Sequence, residues 1–266
     1  MTGNKVRGIV LQERDRNLLR ELAVLRVVDR EQARTVAGFG SITRVNARLL
    51  ALTRAGLLRR FFLGTTAGGK KAIYSLSAKG AALVDVPERG LRQRSNEALV
   101  GNFFVDHQLT INGIYCMVKH GTIPLCNVIC KRWLGFYAPL TTGVRLIPDG
   151  YFELQIPSEV FAAFLEVDLG NESLGVWKEK VRNYLQYALS GNSERQFGRR
   201  RFRVLVVAHS ERRLQSIRQV VAGITDKIFW LTSLEAIERN GFFGAIWLRP
   251  KGDARHTLIE ETPNTL

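Results

Sequence analysis

Two apolar runs in the middle of the chain constrain its fold most: "RLIPDGYFEL" and, a short way on, "FAAFLEVDLGNES". Read as strands over Ile147–Leu154 and Val160–Asp168, they flank the turn "QIPSE", with Pro157 at the bend. A run as apolar as Phe161–Leu165 belongs in a core, where an unpaired charge is costly. Yet Asp149 sits in the first run, and Glu166 and Asp168 sit in the second. With the turn centred between Pro157 and Ser158, position 149 faces 166. Opposed residues of an antiparallel pair leave one face with Cβ atoms about 5 Å apart. Asp168 joins that face because side chains alternate with period two. The pattern predicts a hairpin that gathers three carboxylates at one sheet end, and a slip of one residue would undo it.

Gathered carboxylates repel and must be neutralised. A divalent cation is one solution, which makes Asp149, Glu166 and Asp168 candidate metal ligands and Mg²⁺ the candidate cofactor. A nearby ammonium or guanidinium is the other. The next helix, "ESLGVWKEKVRNYLQYALSG", carries Lys178, Lys180 and Arg182. Lys180, Tyr184 and Tyr187 share a face of it, by helical spacing, that could turn toward the acids.

The surrounding pattern is that of an α/β domain. A helix is expected from about Ser95 to Gly121, with His107 among apolar neighbours as a structural histidine, and short strands follow at Leu125–Trp133. Beyond the basic segment "ERQFGRRRFR", the near-continuous apolar "FRVLVVAHS" is a strand buried on both faces. "SERRLQSIRQVVAGI" and "SLEAIERNG" read as helices, "KIFWLTS" and "GAIWLRP" as strands, and residues 251–266 as a loosely ordered tail. Cys116, Cys126 and Cys130 lack a metal-binding pair spacing and are expected as buried free thiols.

The N-terminal third differs in charge. Of the net charge of +15, residues 1–95 contribute +12, from 19 Lys/Arg against 7 Asp/Glu. That asymmetry points to a polyanionic partner for this third. The apolar positions Leu18, Leu19, Leu22, Leu25 and Val28 define a first helix. Asp29, with Gln32 three residues on, opens a second that stops at Gly38, and Ser41 caps a third that ends at Gly56. Leu57–Leu63 and Ala72–Leu76 form a hairpin, and Ser77 caps a short helix through Val84. Three helices followed by a hairpin make a winged helix-turn-helix. Its third helix would enter the major groove of double-stranded DNA and its wing would meet phosphate or the minor groove. Thr43, Arg44, Asn46, Ala47 and Arg48 lie off the apolar stripe and are the candidate base readers. Arg59, Arg60, Lys70 and Lys71 on the hairpin are candidate DNA contacts, the two lysines holding phosphate.

"DVPERGLRQRSNE" is the expected linker, so the domains read as 10–86 for the winged helix, 87–95 for the linker and 96–250 for the α/β domain. No apolar stretch reaches the roughly 18 residues of a membrane span, and no signal-peptide core precedes the first charges. A cytoplasmic protein with no membrane partner is expected.

The "PD" then "E-x-D" order within helix, strands, helix and strand resembles the PD-(D/E)XK nuclease-like core. More closely, the winged helix joined to "IPDGYFEL…FLEVDLGNESLGVWKEKVRNYLQYA…FRVLVVAHSERRLQSIRQVV" resembles the replication-relaxation family of plasmid and conjugative-element proteins. That resemblance implies an α/β chain, α+β overall, with an N-terminal winged helix-turn-helix followed by a restriction-endonuclease-like mixed-sheet domain. It implies a DNA-binding accessory factor in plasmid replication, DNA relaxation or conjugative transfer, with a relaxase or replication initiator as partner. A homodimer is compatible with a winged helix. In active nucleases of the wider superfamily, Asp149 matches the first acid and Glu166 the second, both holding metal. The position of the catalytic Lys is taken by Asp168, a reversal of charge, which Lys180 could offset from the helix. An inactive core is therefore expected. The alternatives are a Mg²⁺-dependent nuclease using Asp149, Glu166, Asp168 and Lys180, and a transcriptional regulator.

Overall fold

The hairpin predicted from the acid pattern is present in the register the sequence demands. In the computed structural model, which describes residues 5–6, 9–64, 69–89, 101–123, 127–157 and 159–259, Gly150 pairs with Leu165 and Gln155 with Val160. The chain divides into two compact units, residues 1–116 and 117–266.

The first unit opens with two short paired strands, β1 (Lys5–Val6) and β2 (Ile9–Val10), then α1 (Glu13–Leu25) and β3 (Val27–Asp29). Next come α2 (Arg30–Val36), α3 (Ile42–Arg54), the hairpin β4 (Leu58–Gly64) and β5 (Lys70–Leu76), and α4 (Ala78–Leu83). β3 pairs with β5, giving a three-stranded sheet in the order β3-β5-β4. This helix, strand, helix, helix, hairpin order is that of a winged helix-turn-helix. Side-chain caps fix the helix starts: Asp29 Oδ1 accepts from Gln32 N at 2.8 Å and Ser41 Oγ from Arg44 N at 3.3 Å. Gly38 and Gly56, with φ of 65° and 75°, end α2 and α3 in the left-handed region open to glycine. Leu18, Leu19, Leu22, Val45, Leu49 and Leu52 are buried, so the predicted apolar stripes are the core of this unit.

α5 (Gly101–Tyr115) corrects the expected boundary. The sequence assigns it to the second domain, but it packs in the first. Asn112 Nδ2 donates to the carbonyls of Leu25 at 3.1 Å and Val27 at 2.5 Å, and the Tyr115 hydroxyl donates to Glu21. Gln32 Nε2 donates to Leu109 O at 2.7 Å, so this side chain serves α5 and not the expected capping box. Val105 and Leu109 join Val27, Leu63 and Ile73 in one apolar cluster. His107 stacks on Phe103, in keeping with a structural role. Residues 95–100 lie outside the described residues, and a π-turn, Cys116–His120, follows α5.

The second unit is built on a seven-stranded mixed sheet in the order β12-β11-β10-β9-β8-β7-β6. β6 (Ile129–Leu134), β7 (Gly150–Gln155) and β8 (Val160–Asp168) form an antiparallel meander. α6 (Leu174–Leu189) and α7 (Asn192–Phe197) lead to β9 (Arg203–Ala208), which runs parallel to β8. α8 (Glu211–Ala222), β10 (Phe229–Ser233), α9 (Leu234–Asn240), β11 (Trp247–Leu248) and β12 (Arg255–His256) complete it, with β10 parallel to β9. A parallel strand needs a crossover, and α6 and α8 supply two on one face. There Phe164, Trp177, Tyr184, Tyr187, Leu214 and Ile217 form a fully buried core. Val204–Ala208 are buried throughout, as expected of a strand covered on both faces.

Two expectations change. β7 begins at Gly150, so Asp149 lies just before the strand, and residues 255–256 of the expected loose tail form the edge strand β12. Of the cysteines, Cys116 is a buried free thiol that burial, aided by the charges of Asp29 and Glu21, pushes up to about 12. Cys130 is a half-buried free thiol, and Cys126 lies outside the described residues. Among the described residues no helix is long and apolar enough to cross a membrane.

Candidate functional site

The register brings position 149 opposite 166, but the three acids part company in their bonding. Asp149 takes its backbone bond from N to Leu165 O at 3.1 Å, and its Oδ2 accepts from Val167 N at 2.7 Å. Glu166 is fully buried: Oε1 accepts from the Tyr184 hydroxyl at 2.6 Å and Oε2 from Lys180 Nζ at 2.8 Å. Lys180 also reaches Glu172 at 2.8 Å and lies 5.1 Å from the centre of the Trp177 ring. Burial drives the Glu166 carboxyl above the usual carboxylate range, against the pull of Lys180 and with Asp149 adding to the rise. Burial alone would lower the Lys180 ammonium, but Glu166 and Glu172 together raise it, so it stays charged.

Asp168 belongs to a second constellation. Its Oδ1 accepts from Arg213 Nε and Gly170 N, each at 2.8 Å. Its Oδ2 accepts from Arg213 Nη2 at 2.8 Å and from Trp177 Nε1 at 2.7 Å. Burial would raise this carboxyl, but Arg213, Trp177 and the Gly170 backbone outweigh it and hold it below the usual range. The tight turn depends on Gly170, whose φ is 94° and where an added Cβ would lie 2.8 Å from the His209 ring.

The expected metal set of Asp149, Glu166 and Asp168 therefore does not fit Mg²⁺. Four donors occupy the two oxygens of Asp168, and a guanidinium lies against them, which opposes a second cation. Among the described residues no group of three or more His, Cys, Asp or Glu is arranged to hold a metal ion. Neutralisation comes instead from protein cations, Lys180 for Glu166 and Arg213 for Asp168. Lys180 and Tyr184 turn to the acids as the helical face predicted; Tyr187 does not, its hydroxyl donating to Gln196 at 2.7 Å. Sequence reasoning missed Arg213, Trp177 and Glu172. Arg213 stands 45 residues beyond Asp168 on a separate helix, and no local spacing links them.

In the first unit, the candidate DNA residues also divide. Thr43, Arg44, Asn46 and Ala47 are exposed on the first turns of α3. Arg48 is turned inward: its Nε donates to Asp15 Oδ1 at 2.7 Å and its Nη2 to Asp15 and to Val10 O, so it neutralises a fully buried acid. Lys71 pairs with Asp29, the cap of α2. Arg59 pairs with Glu88 at 3.0 Å and Arg60 lies over the Phe62 ring, both still exposed. Lys70 is exposed at the start of β5.

A family model described as "Replication-relaxation" matches residues 19–200, more than half of the chain. The chain belongs to the replication-relaxation family. No curated protein matches it. Among solved structures, the replication-relaxation chain is similar to the restriction endonuclease FokI, with 14% identity and a TM-score of 0.31 over 85% of this chain and 43% of that one. FokI bound to DNA is similar at 12% identity and a TM-score of 0.31, over 86% of this chain and 44% of that one. The replication-relaxation chain thus spans less than half the length of these solved chains.

Proposed function

We propose that this replication-relaxation protein is a DNA-binding accessory factor of a plasmid or conjugative element, and that its nuclease-like unit does not cut DNA. The observation that carries the reading is the outer face of α3, where Thr43, Arg44 and Asn46 stand exposed on a helix whose other side is locked into the core. Arginine and asparagine suit bidentate contacts to guanine and adenine edges. The basic excess of residues 1–95 supplies the phosphate attraction such docking needs. The non-cleaving assignment follows from Asp168, held by Arg213 where the superfamily's chemistry calls for a lysine. The second unit would then act as a docking module, with a relaxase or replication initiator as the partner class the family implies.

Gel-shift titration of the full chain against duplexes covering a plasmid origin tests this. Binding should weaken steeply with salt and fall about tenfold or more in Arg44→Ala/Asn46→Ala. Duplex affinity unchanged by that pair would remove the α3 assignment. Nicking that requires Mg²⁺ or Mn²⁺ and disappears in Asp149→Ala would overturn the non-cleaving part.

A further inference from the structure

The basic segment "ERQFGRRRFR" has no part in either constellation above, yet it borders a cavity of about 400 Å³ in the second unit. Arg200, Arg201 and Arg203 line this cavity from the approach to β9, Arg249 from beyond β11, and Glu159 is the single carboxylate among the lining residues. Phe161 and Trp230 form an aromatic floor. The cavity lies at the end of the sheet where the parallel strands β8, β9 and β10 begin. Phe161 and Glu166 are five residues apart on β8, so it is about 16 Å from the acid and lysine centre.

The arginines are held in place. The Arg203 guanidinium lies 4.1 Å from the centre of the Trp230 ring and 5.0 Å from that of Phe161, and Arg249 lies 5.1 Å from Trp230. Cation–π contact of this kind fixes a guanidinium without consuming its N–H donors. Arg203 Nη1 donates to Leu258 O at 2.8 Å and Arg249 Nη2 to Asp226 O at 3.1 Å, so each is anchored by one edge. Arg249 Nε is buried and has no hydrogen-bond partner among the described residues. A buried charged donor without an acceptor is costly, and four cations lining one cavity repel one another. An anion with several oxygens would satisfy both. Guanidinium groups match phosphate oxygens in pairs, and Arg200 and Arg201 are exposed to receive them.

We infer that this cavity is a phosphate-binding site that takes a phosphate group of a nucleotide or of a nucleic-acid backbone. It is separate from α3 and would give the protein a second point of contact with its substrate strand.

The test uses the full chain and a labelled tetrathymidylate, which is too short to present a duplex major groove to α3. Wild type should bind it. Arg200→Ala/Arg201→Ala should weaken binding at least tenfold with unchanged thermal unfolding, and should lower the salt slope by about 1.4, at about 0.7 for each phosphate lost from a single strand. Arg44→Ala/Lys70→Ala should bind it as wild type does, which separates this site from the proposed DNA face. Hydrogen exchange should slow in residues 160–163 and 200–206 on binding. Competition with a nucleoside triphosphate and with inorganic phosphate assigns the source: a tetranucleotide that binds tighter than both marks a nucleic-acid backbone, and a tighter triphosphate marks a free nucleotide. Absence of binding by wild type, or affinity indifferent to Arg200 and Arg201, overturns the site.

Discussion

Arg213 grips Asp168 with two parallel hydrogen bonds, Nε to Oδ1 and Nη2 to Oδ2, each 2.8 Å long. The carboxylate is fully buried and the guanidinium nearly so, which makes the pair far stronger as a unit than either half left alone. Arg213→Met should destabilise the second unit by about 3 kcal/mol, because Asp168 is then buried without its cation. The double variant Arg213→Met/Asp168→Leu should recover part of that loss. Denaturant unfolding of the two single variants and the double variant measures the coupling; strictly additive losses would mean that the bidentate contact contributes nothing.

The same pair sets an acid limit. Asp168 is held below its ordinary value of 3.8, so the folded state binds this proton less readily than the unfolded state does. Its stabilising contribution is present above 3.8 and is lost as pH falls through the depressed folded value. Asp168→Asn should therefore flatten the acid limb of a stability profile below about pH 4, while lowering stability at neutral pH. An unchanged acid limb would show that other carboxylates govern it.

The contrast between what the sequence told and what it withheld is physical. The hairpin register was legible because an apolar run buried on one face fixes its partner alignment to the residue, and Pro157 fixes the bend. Caps at Asp29, Ser41 and Ser77 were legible because they act within three residues. The site was only half legible. Lys180 and Tyr184 lie on the next helix and follow from its period, whereas Arg213 and Arg48 meet their acids across 45 and 33 residues. Both arginines look like surface charge in the sequence, and only the packing of a second helix reveals that they neutralise buried carboxylates.

Lys180 stands where a metal-dependent centre would need a cation. With Lys180→Met, Glu166 loses its counter-charge and faces Glu172 and Asp149 alone, so thermal stability should fall, by about 3 kcal/mol. Millimolar Mg²⁺ should restore part of the loss in this variant and leave wild type unmoved. Thermal shift with and without Mg²⁺ decides the matter; stabilisation of wild type by Mg²⁺ would show that the acids accept metal with Lys180 in place.

Arg44 and Arg48 sit one turn apart on α3 and should fail in different ways. Arg44→Ala removes an exposed guanidinium, so duplex affinity should drop about tenfold with little change in unfolding. Arg48→Ala leaves Asp15 buried without its partner, so the first unit should lose about 3 kcal/mol. Parallel gel-shift and unfolding measurements separate the roles; equal loss of DNA affinity at equal stability would return Arg48 to the reading face.

Asn112 tests where α5 belongs. Its amide donates to the carbonyls of Leu25 and Val27, and the side chain is almost wholly buried. Asn112→Ala leaves two buried acceptors without a donor, at a cost of about 1 to 3 kcal/mol for each group left unpaired. Asn112→Asp should do more damage, since a carboxylate would face two carbonyl oxygens. Because β3 is the strand that pairs with β5, the loss should spread from α5 into the three-stranded sheet. Hydrogen exchange should therefore quicken at residues 25–29 and 73–75 and stay unchanged along β8 and β9. Faster exchange in β8 and β9 instead would place α5 with the second unit.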